Sequence, residues 1–421
     1  MNYRQIILAV LLFAPVSAGA EPVAALLKKA VALVCVETPL AADAMAQALS
    51  KDARAASDEP LTMGEQKFGW RRQIILGGGR RLDITRLEPW GVLRRIEIQY
   101  RTGERPEIMV IADGDCAITA ARRLRYGADG RAESIEMLGP DLTPTGDSEP
   151  LNPAVPPADD PGGITVALID SGVNYLLPEI NRRLARDGAG KLLGYDYWDM
   201  DDRPYDANPA RSPFFPQRHG TRVASVILAE ARATRLIPYR YPRPDLSRLK
   251  ALVGDAVAHG ARIVNLAMGS NKSEPWRAFA EAMAENPDVL FVVSAGNDGR
   301  DLDRRPVYPA AFRADNMLVI TSADGFGDPA RGSNWGRATV DLLVPGERVP
   351  VIDFFGQAAF ASGASFAAPR VTALAVRLLE ANPLWTAPDL KAAIIARARL
   401  VDGAGRLTSR YGFLDLDALP Q

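Results

Sequence analysis

From residue 164 onward, short unbroken apolar runs (164–169, 263–268, 289–293 and 317–321) alternate with helix-length stretches rich in alanine. Strands that are apolar on both faces need cover on both sides, so this pattern predicts a parallel sheet between two layers of helices. Upstream the texture differs. Between 67 and 138, segments such as Arg71-Gln73-Ile75, Leu93-Ile96-Ile98-Tyr100 and Ile108-Val110 alternate or run apolar only briefly. Gly127-Ala128-Asp129-Gly130 has the composition of a hairpin turn, which makes this region an antiparallel sheet. An Ala- and Leu-rich preface over 23–49 reads as one or two helices, interrupted near Pro39. Seven prolines lie among Asp, Ser and Gly between Gly139 and Gly163, a composition that favours extended, exposed chain. The expected architecture is α/β: a three-layer parallel-sheet domain over 164–421, preceded by a smaller α+β domain over 21–138 and joined to it by a linker over 139–163.

The first twenty residues are laid out as an export signal, with Arg4 in a polar start, an apolar run over 6–13, and Ala18-Gly19-Ala20 as the cleavage site. The run is shorter than the ~20 residues that cross a bilayer, and no later stretch is long and apolar enough to span. The mature protein is expected from Glu21, in a periplasmic or extracellular setting. Export also bears on Cys35 and Cys116, for which spacing leaves two outcomes open: a disulfide, or two buried thiols. The whole chain has 421 residues, 47% hydrophobic and 24% charged, and a formal net charge of -1. That balance is ordinary for a globular protein and offers no electrostatic case for nucleic acid.

Four short blocks carry chemistry. Asp170 closes the apolar run 164–169, at the edge where α/β sheets place their sites, although a turn Asp reads the same way in isolation. His219 precedes Gly220-Thr221 and a helix-like apolar stretch. It is one of two histidines; His259 stands at an apparent helix C-terminus, where the dipole suffices to explain it. Ser365 lies in Gly363-Ala364-Ser365-Phe366-Ala367-Ala368-Pro369 at a helix start, the place of an N-cap serine or of a nucleophile beside unbonded N–H groups. Asn297 ends a buried strand in Ala295-Gly296-Asn297, where an amide can brace a turn or stabilise an oxyanion.

Taken in order, Asp-Ser-Gly, His-Gly-Thr, Ala-Gly-Asn and Gly-Ala-Ser-Phe-Ala-Ala-Pro resemble the subtilisin-like serine peptidases, over Ile164 to Leu419. The resemblance implies endopeptidase chemistry on protein or peptide substrates, with Asp170, His219 and Ser365 as triad and Asn297 as oxyanion donor, and with no cofactor required. It further implies a substrate strand along Ala267, Met268 and Gly269 and a specificity pocket beside Ala295 and Gly296. Residues 21–138 would then be a propeptide acting in cis or a permanent accessory domain. An inactive binding module on the same fold is the alternative. The chain departs from the family pattern at Arg222, Ser225, Ala364 and Phe366. The run Tyr195-Asp196-Tyr197-Trp198-Asp199-Met200-Asp201 is similar to a calcium loop of some members, making Asp196, Asp199 and Asp201 candidate ligands of a structural calcium. Arg203 and Tyr205 stand where further oxygen ligands belong, and a solvated acidic turn is the other reading.

Overall fold

A computed structural model describes residues 23–243, 245–400 and 408–418; the expected leader at 1–20 lies outside the described residues. The chain divides into two compact units between Glu149 and Pro150, inside the stretch read as a linker.

The first unit is an antiparallel meander of eight strands: β1 (Arg54–Met63), β2 (Gln66–Ile75), β3 (Arg80–Leu87), β4 (Arg95–Thr102), β5 (Arg105–Asp113), β6 (Ile118–Tyr126), β7 (Ala132–Leu138) and β8 (Pro144–Pro150). Register places Ile84 against Ile98 and Ile98 against Val110, so one face is continuously apolar. Helices α1 (Val23–Val34) and α2 (Ala42–Leu49) cover that face with Leu27, Val31, Val34, Met45 and Leu49. The two outer strands escaped the sequence reading for a physical reason. Both are largely exposed edge strands, so no buried face imposes alternation, and β8 has proline only at its ends, where edge strands tolerate it. Cys35 and Cys116 form a disulfide with Cα atoms 5.9 Å apart, which closes the question their spacing left open and ties the end of α1 to the turn after β5.

In the second unit seven parallel strands run in the order β10-β11-β9-β12-β13-β14-β15. They are β9 (Ile164–Asp170), β10 (Tyr195–Asp196), β11 (Thr234–Arg240), β12 (Ile263–Leu266), β13 (Leu290–Ser294), β14 (Met317–Ala323) and β15 (Leu342–Pro345). A hairpin follows, of β16 (Val349–Ile352) and β17 (Ala358–Ala361). The helices are α3 (Pro178–Asn181), α4 (Gly220–Glu230), α5 (Leu249–Ala258), α6 (Arg277–Glu285), α7 (Ala364–Ala381) and α8 (Ala387–Ile395). Alternate strand residues feed opposite cores. Val166, Leu168, Val292 and Ile320 pack with α4, α7 and α8, whereas Ile169, Val264, Phe291 and Val319 pack with α5 and α6. Both faces are therefore buried, as unbroken apolar runs require. Strand order reverses at β9, whose neighbours are β11 and β12, and such a switch point opens a crevice at the carboxyl ends of the strands.

Residues 151–163 lack regular structure, but they are not a detached tether. Pro153 O accepts the Tyr175 hydroxyl at 2.7 Å, Pro156 O accepts Arg186 Nη2 at 3.0 Å, and Asp160 pairs with Arg235 at 2.7 Å. The Arg235 guanidinium holds the Asp160 carboxyl well below its usual range, at about 2. The proline-rich stretch thus belongs partly to β8 and partly to the surface of the second unit.

Replacing Cys35 and Cys116 by serine is expected to destabilise the first unit by ~2–4 kcal/mol, because the bond closes a long loop in the unfolded chain. Denaturant unfolding of the two forms measures it, and equal midpoints would contradict that role.

Candidate active site

Asp170 ends β9 and is 4% exposed. Its Oδ1 accepts the Ser171 N–H at 2.7 Å. His219 immediately precedes α4, and its Nδ1 lies 2.8 and 2.9 Å from the two Asp170 oxygens. A carboxylate offers only acceptors, so Nδ1 carries the proton and Nε2 is left as an acceptor facing away. The contact needs the first turn of α4 against the end of β9. Gly220 permits it: a Cβ there would lie 2.0 Å from Gly172 O and 3.1 Å from Asp170 Cβ. Burial pulls the imidazole pKa down, while Asp170 by charge and hydrogen bond pushes it up, with Asp206 adding to the rise and Arg222 opposing it; the net direction is upward.

Ser365 sits in the first turn of α7 and is half-buried. The next residue, Phe366, holds its ring 5.7 Å from the His219 imidazole, which brings that turn beside the imidazole. No hydrogen bond joins Ser365 to His219 among the described residues; such contacts commonly tighten only when substrate is bound. Asn297, exposed after β13, accepts the Ala364 N–H through Oδ1 at 2.8 Å, which leaves its Nδ2 donors pointing elsewhere. Gly363 makes room for this at φ 125°, since a Cβ there would lie 2.9 Å from Asn297 Oδ1. The arrangement gathers a hydroxyl, an imidazole on a buried carboxylate, and an amide at the start of one helix, which are the parts of acyl transfer.

Ala267, Met268 and Gly269 follow β12 after its sheet pairing has ended at Leu266, and are half-buried to exposed. Ala295 and Gly296 follow β13, and the buried Asn334 braces their turn. Its Nδ2 donates to Ala295 O at 2.8 Å, and its Oδ1 accepts the N–H groups of Asp298 and Arg300 at 2.9 Å each. The sequence reading missed Asn334 and Asp206, since an Asn or Asp in a turn gives no signal of what it will reach across the fold. His259 caps α5, 3.5 Å from Asp255 on the same helix. The departures from the family pattern find places as well. Ser225 Oγ donates to Arg222 O at 2.7 Å and accepts the Ile352 N–H at 2.9 Å, and Arg222 is half-buried.

Calcium at Asp196, Asp199 and Asp201, one of the two readings of this run, does not fit these side chains. Arg240 places Nη1 2.8 Å from Asp196 Oδ2 and bonds Asp199 through the same nitrogen, so a guanidinium already answers the two charges. Asp201 accepts Asn152 Nδ2 at 2.7 Å. Among the described residues no three His, Cys, Asp or Glu side chains converge as a metal site.

Residues 162–413 match the Subtilase family. The chain is similar to a thermophilic serine proteinase of Bacillus sp. (strain AK1), 28% identical over 258 residues that make up 58% of each protein. It is also similar to alkaline serine exoprotease A of Vibrio alginolyticus, 27% identical over 265 residues covering 60% of this chain and 44% of that protein. The chain thus spans about half the length of these relatives. A solved cold-adapted subtilisin-like serine proteinase aligns with a TM-score of 0.51 at 26% identity, covering 62% of this chain and 91% of that one.

Arg240→Ala strands the buried Asp196 charge and is expected to cost about 3–5 kcal/mol at neutral pH by denaturant unfolding. Adding Asp196→Asn should recover part of the loss, and a single variant as stable as wild type would contradict the pairing.

Proposed function

The chain belongs to the subtilase family, and on that premise we propose that it is an exported serine endopeptidase with Asp170, His219 and Ser365 as its triad. The observation that carries this reading is the His219 imidazole held by Nδ1 on both oxygens of a buried Asp170, beside the turn that bears Ser365. Ser365 Oγ attacks a peptide carbonyl as its proton passes to His219 Nε2. Asp170 keeps the imidazole in the needed tautomer and offsets the positive charge that forms. Asn297 Nδ2 and the Ser365 N–H, unbonded in the first turn of α7, take the oxyanion. His219 then protonates the leaving amine, and water releases the acyl group from Ser365 by the reverse sequence. Substrate lies extended along Ala267, Met268 and Gly269, whose backbone has left the sheet ladder, with its specificity side chain toward Ala295 and Gly296.

Export rests on the leader-like residues 1–20 and on the Cys35–Cys116 bond, which suits an oxidising compartment. No helix among the described residues is long and apolar enough to cross a membrane.

A fluorophosphonate probe is expected to label the wild type and not Ser365→Ala, with peptide hydrolysis falling about 10⁶-fold, the magnitude found for a subtilisin. Absence of labelling in a folded wild type would favour the binding-module alternative. Since catalysis needs neutral His219 and its pKa is raised, activity should fall on the acid side at a pH above the ordinary imidazole value, seen in the kcat/KM profile.

Maturation follows from the same chemistry. Residues 21–138 act first as a propeptide in cis, and the cut falls within 139–163. Support comes from the division of the chain at Glu149 and from the anchors on Pro153, Pro156 and Asp160, which keep the downstream part of this stretch with the second unit. Mass spectrometry of purified wild type is expected to show an N-terminus near that division, while Ser365→Ala keeps the first unit attached. An active wild type that still carries it would make the first unit a permanent accessory domain.

A further inference from the structure

One fully buried carboxylate beside the triad has four donors trained on it. Asp206 Oδ1 accepts Ser171 Oγ at 2.6 Å and the His219 N–H at 3.2 Å. Its Oδ2 accepts the N–H of Thr221 at 2.9 Å and the hydroxyl of the same residue at 2.6 Å. The hydroxyl protons have nowhere better to go. Thr221 Oγ already accepts the Asn174 N–H at 2.9 Å, and Ser171 Oγ accepts the Gly220 N–H at 2.9 Å while standing 3.2 Å from Asp170. Both hydroxyls have their shortest contact on Asp206, and an ionised carboxylate, an acceptor at both oxygens, takes all four donors. The nearby Arg218 donates to the Asp206 main-chain carbonyl and lays its guanidinium 3.9 Å from the Phe354 ring.

The bonds of Asp206 fall on the segment that aims the base. It caps the first turn of α4 through Thr221, holds the His219 main chain, and through Ser171 reaches the residue that follows Asp170. We propose that Asp206 is a positioning residue for His219: a buried anion that locks the start of α4 onto the end of β9, keeps the imidazole on Asp170, and stabilises the imidazolium formed during attack. This rests on the reading of Asp170, His219 and Ser365 as the triad. The charged groups around the imidazole are Asp170 from β9, Asp206 from the loop before α4, and Arg222 one turn along α4; α7 presents the neutral Phe366. Asp206 adds to Asp170 in favouring the charged ring, and Arg222 opposes both. Burial pushes the Asp206 pKa itself up and the Asp170 charge adds to the rise, while hydrogen bonds from Ser171 and Thr221 pull it down; the net direction is upward.

The test uses the full chain. The protein has two histidines, so imidazole signals in a Ser365→Ala background can be assigned with His259→Gln. Adding Asp206→Asn is expected to move the His219 titration to lower pH and leave His259 unmoved. In the active enzyme the same change should lower kcat about tenfold to a hundredfold with KM held within about twofold, and shift the acid limb of the rate profile to lower pH. A helix cap with no electrostatic part would cost stability without moving either titration, and an unmoved His219 in folded Asp206→Asn overturns the proposal. Should that variant not fold, carboxyl ¹³C titration of the Ser365→Ala chain reads the same point: Asp206 is expected ionised wherever His219 titrates, and a protonated carboxyl there overturns it. Failure of the triad reading would show separately, as peptidase activity surviving in Ser365→Ala.

Discussion

The site depends on one constraint: a carboxylate at the buried end of β9 has its charge answered by the Ser171 N–H and the His219 imidazole instead of by water. Burial of Asp170 makes each of those donors costly to lose, because an unpaired charge in that position has no solvent to fall back on. Hence the end of β9 and the start of α4 are held in one register, and the candidate site is arranged around keeping them so. The helix must approach backbone to backbone, which leaves no volume for a side chain at residue 220.

A second layer of constraint follows from the parallel sheet. Its strands deliver Asp170, Ala267 and Asn297 to the same edge because parallel strands end on the same side, and the reversal of order at β9 opens the space between them. The helix bearing Ser365 packs across the face formed by Val292 and Ile320, so the place of Ser365 is set by a large apolar contact and not by its own polar bonds. Asn297 then joins the strand edge to that helix through a single bond to the Ala364 N–H. Core packing brings the elements together, and a few polar contacts fix the last ångström.

Cations inside this unit illustrate how charge is handled away from the candidate site. Arg240 takes the position between Asp196 and Asp199 that the acidic run alone would assign to a hard metal ion. Arg235 and Arg186 hold the segment before β9 onto its surface. In each case planar donors meet oxygen acceptors that lie far apart in sequence, 44 residues for Arg240 and Asp196 and 75 for Arg235 and Asp160.

What the sequence determined by itself is whatever depends on local pattern. Unbroken apolar runs over 164–169 and 289–293 announce strands buried on both faces, and the blocks around Asp170, His219, Asn297 and Ser365 carry their chemistry in neighbouring residues. Edge strands β1 and β8 stayed illegible because no buried face imposes alternation on them. Only tertiary structure decided the Cys35–Cys116 bond, the occupation of the acidic loop by Arg240, and the parts of Asn334 and Asp206. Each of these depends on which groups meet across the fold, and a buried polar group chooses its partner by geometry and desolvation, which no stretch of neighbouring residues encodes.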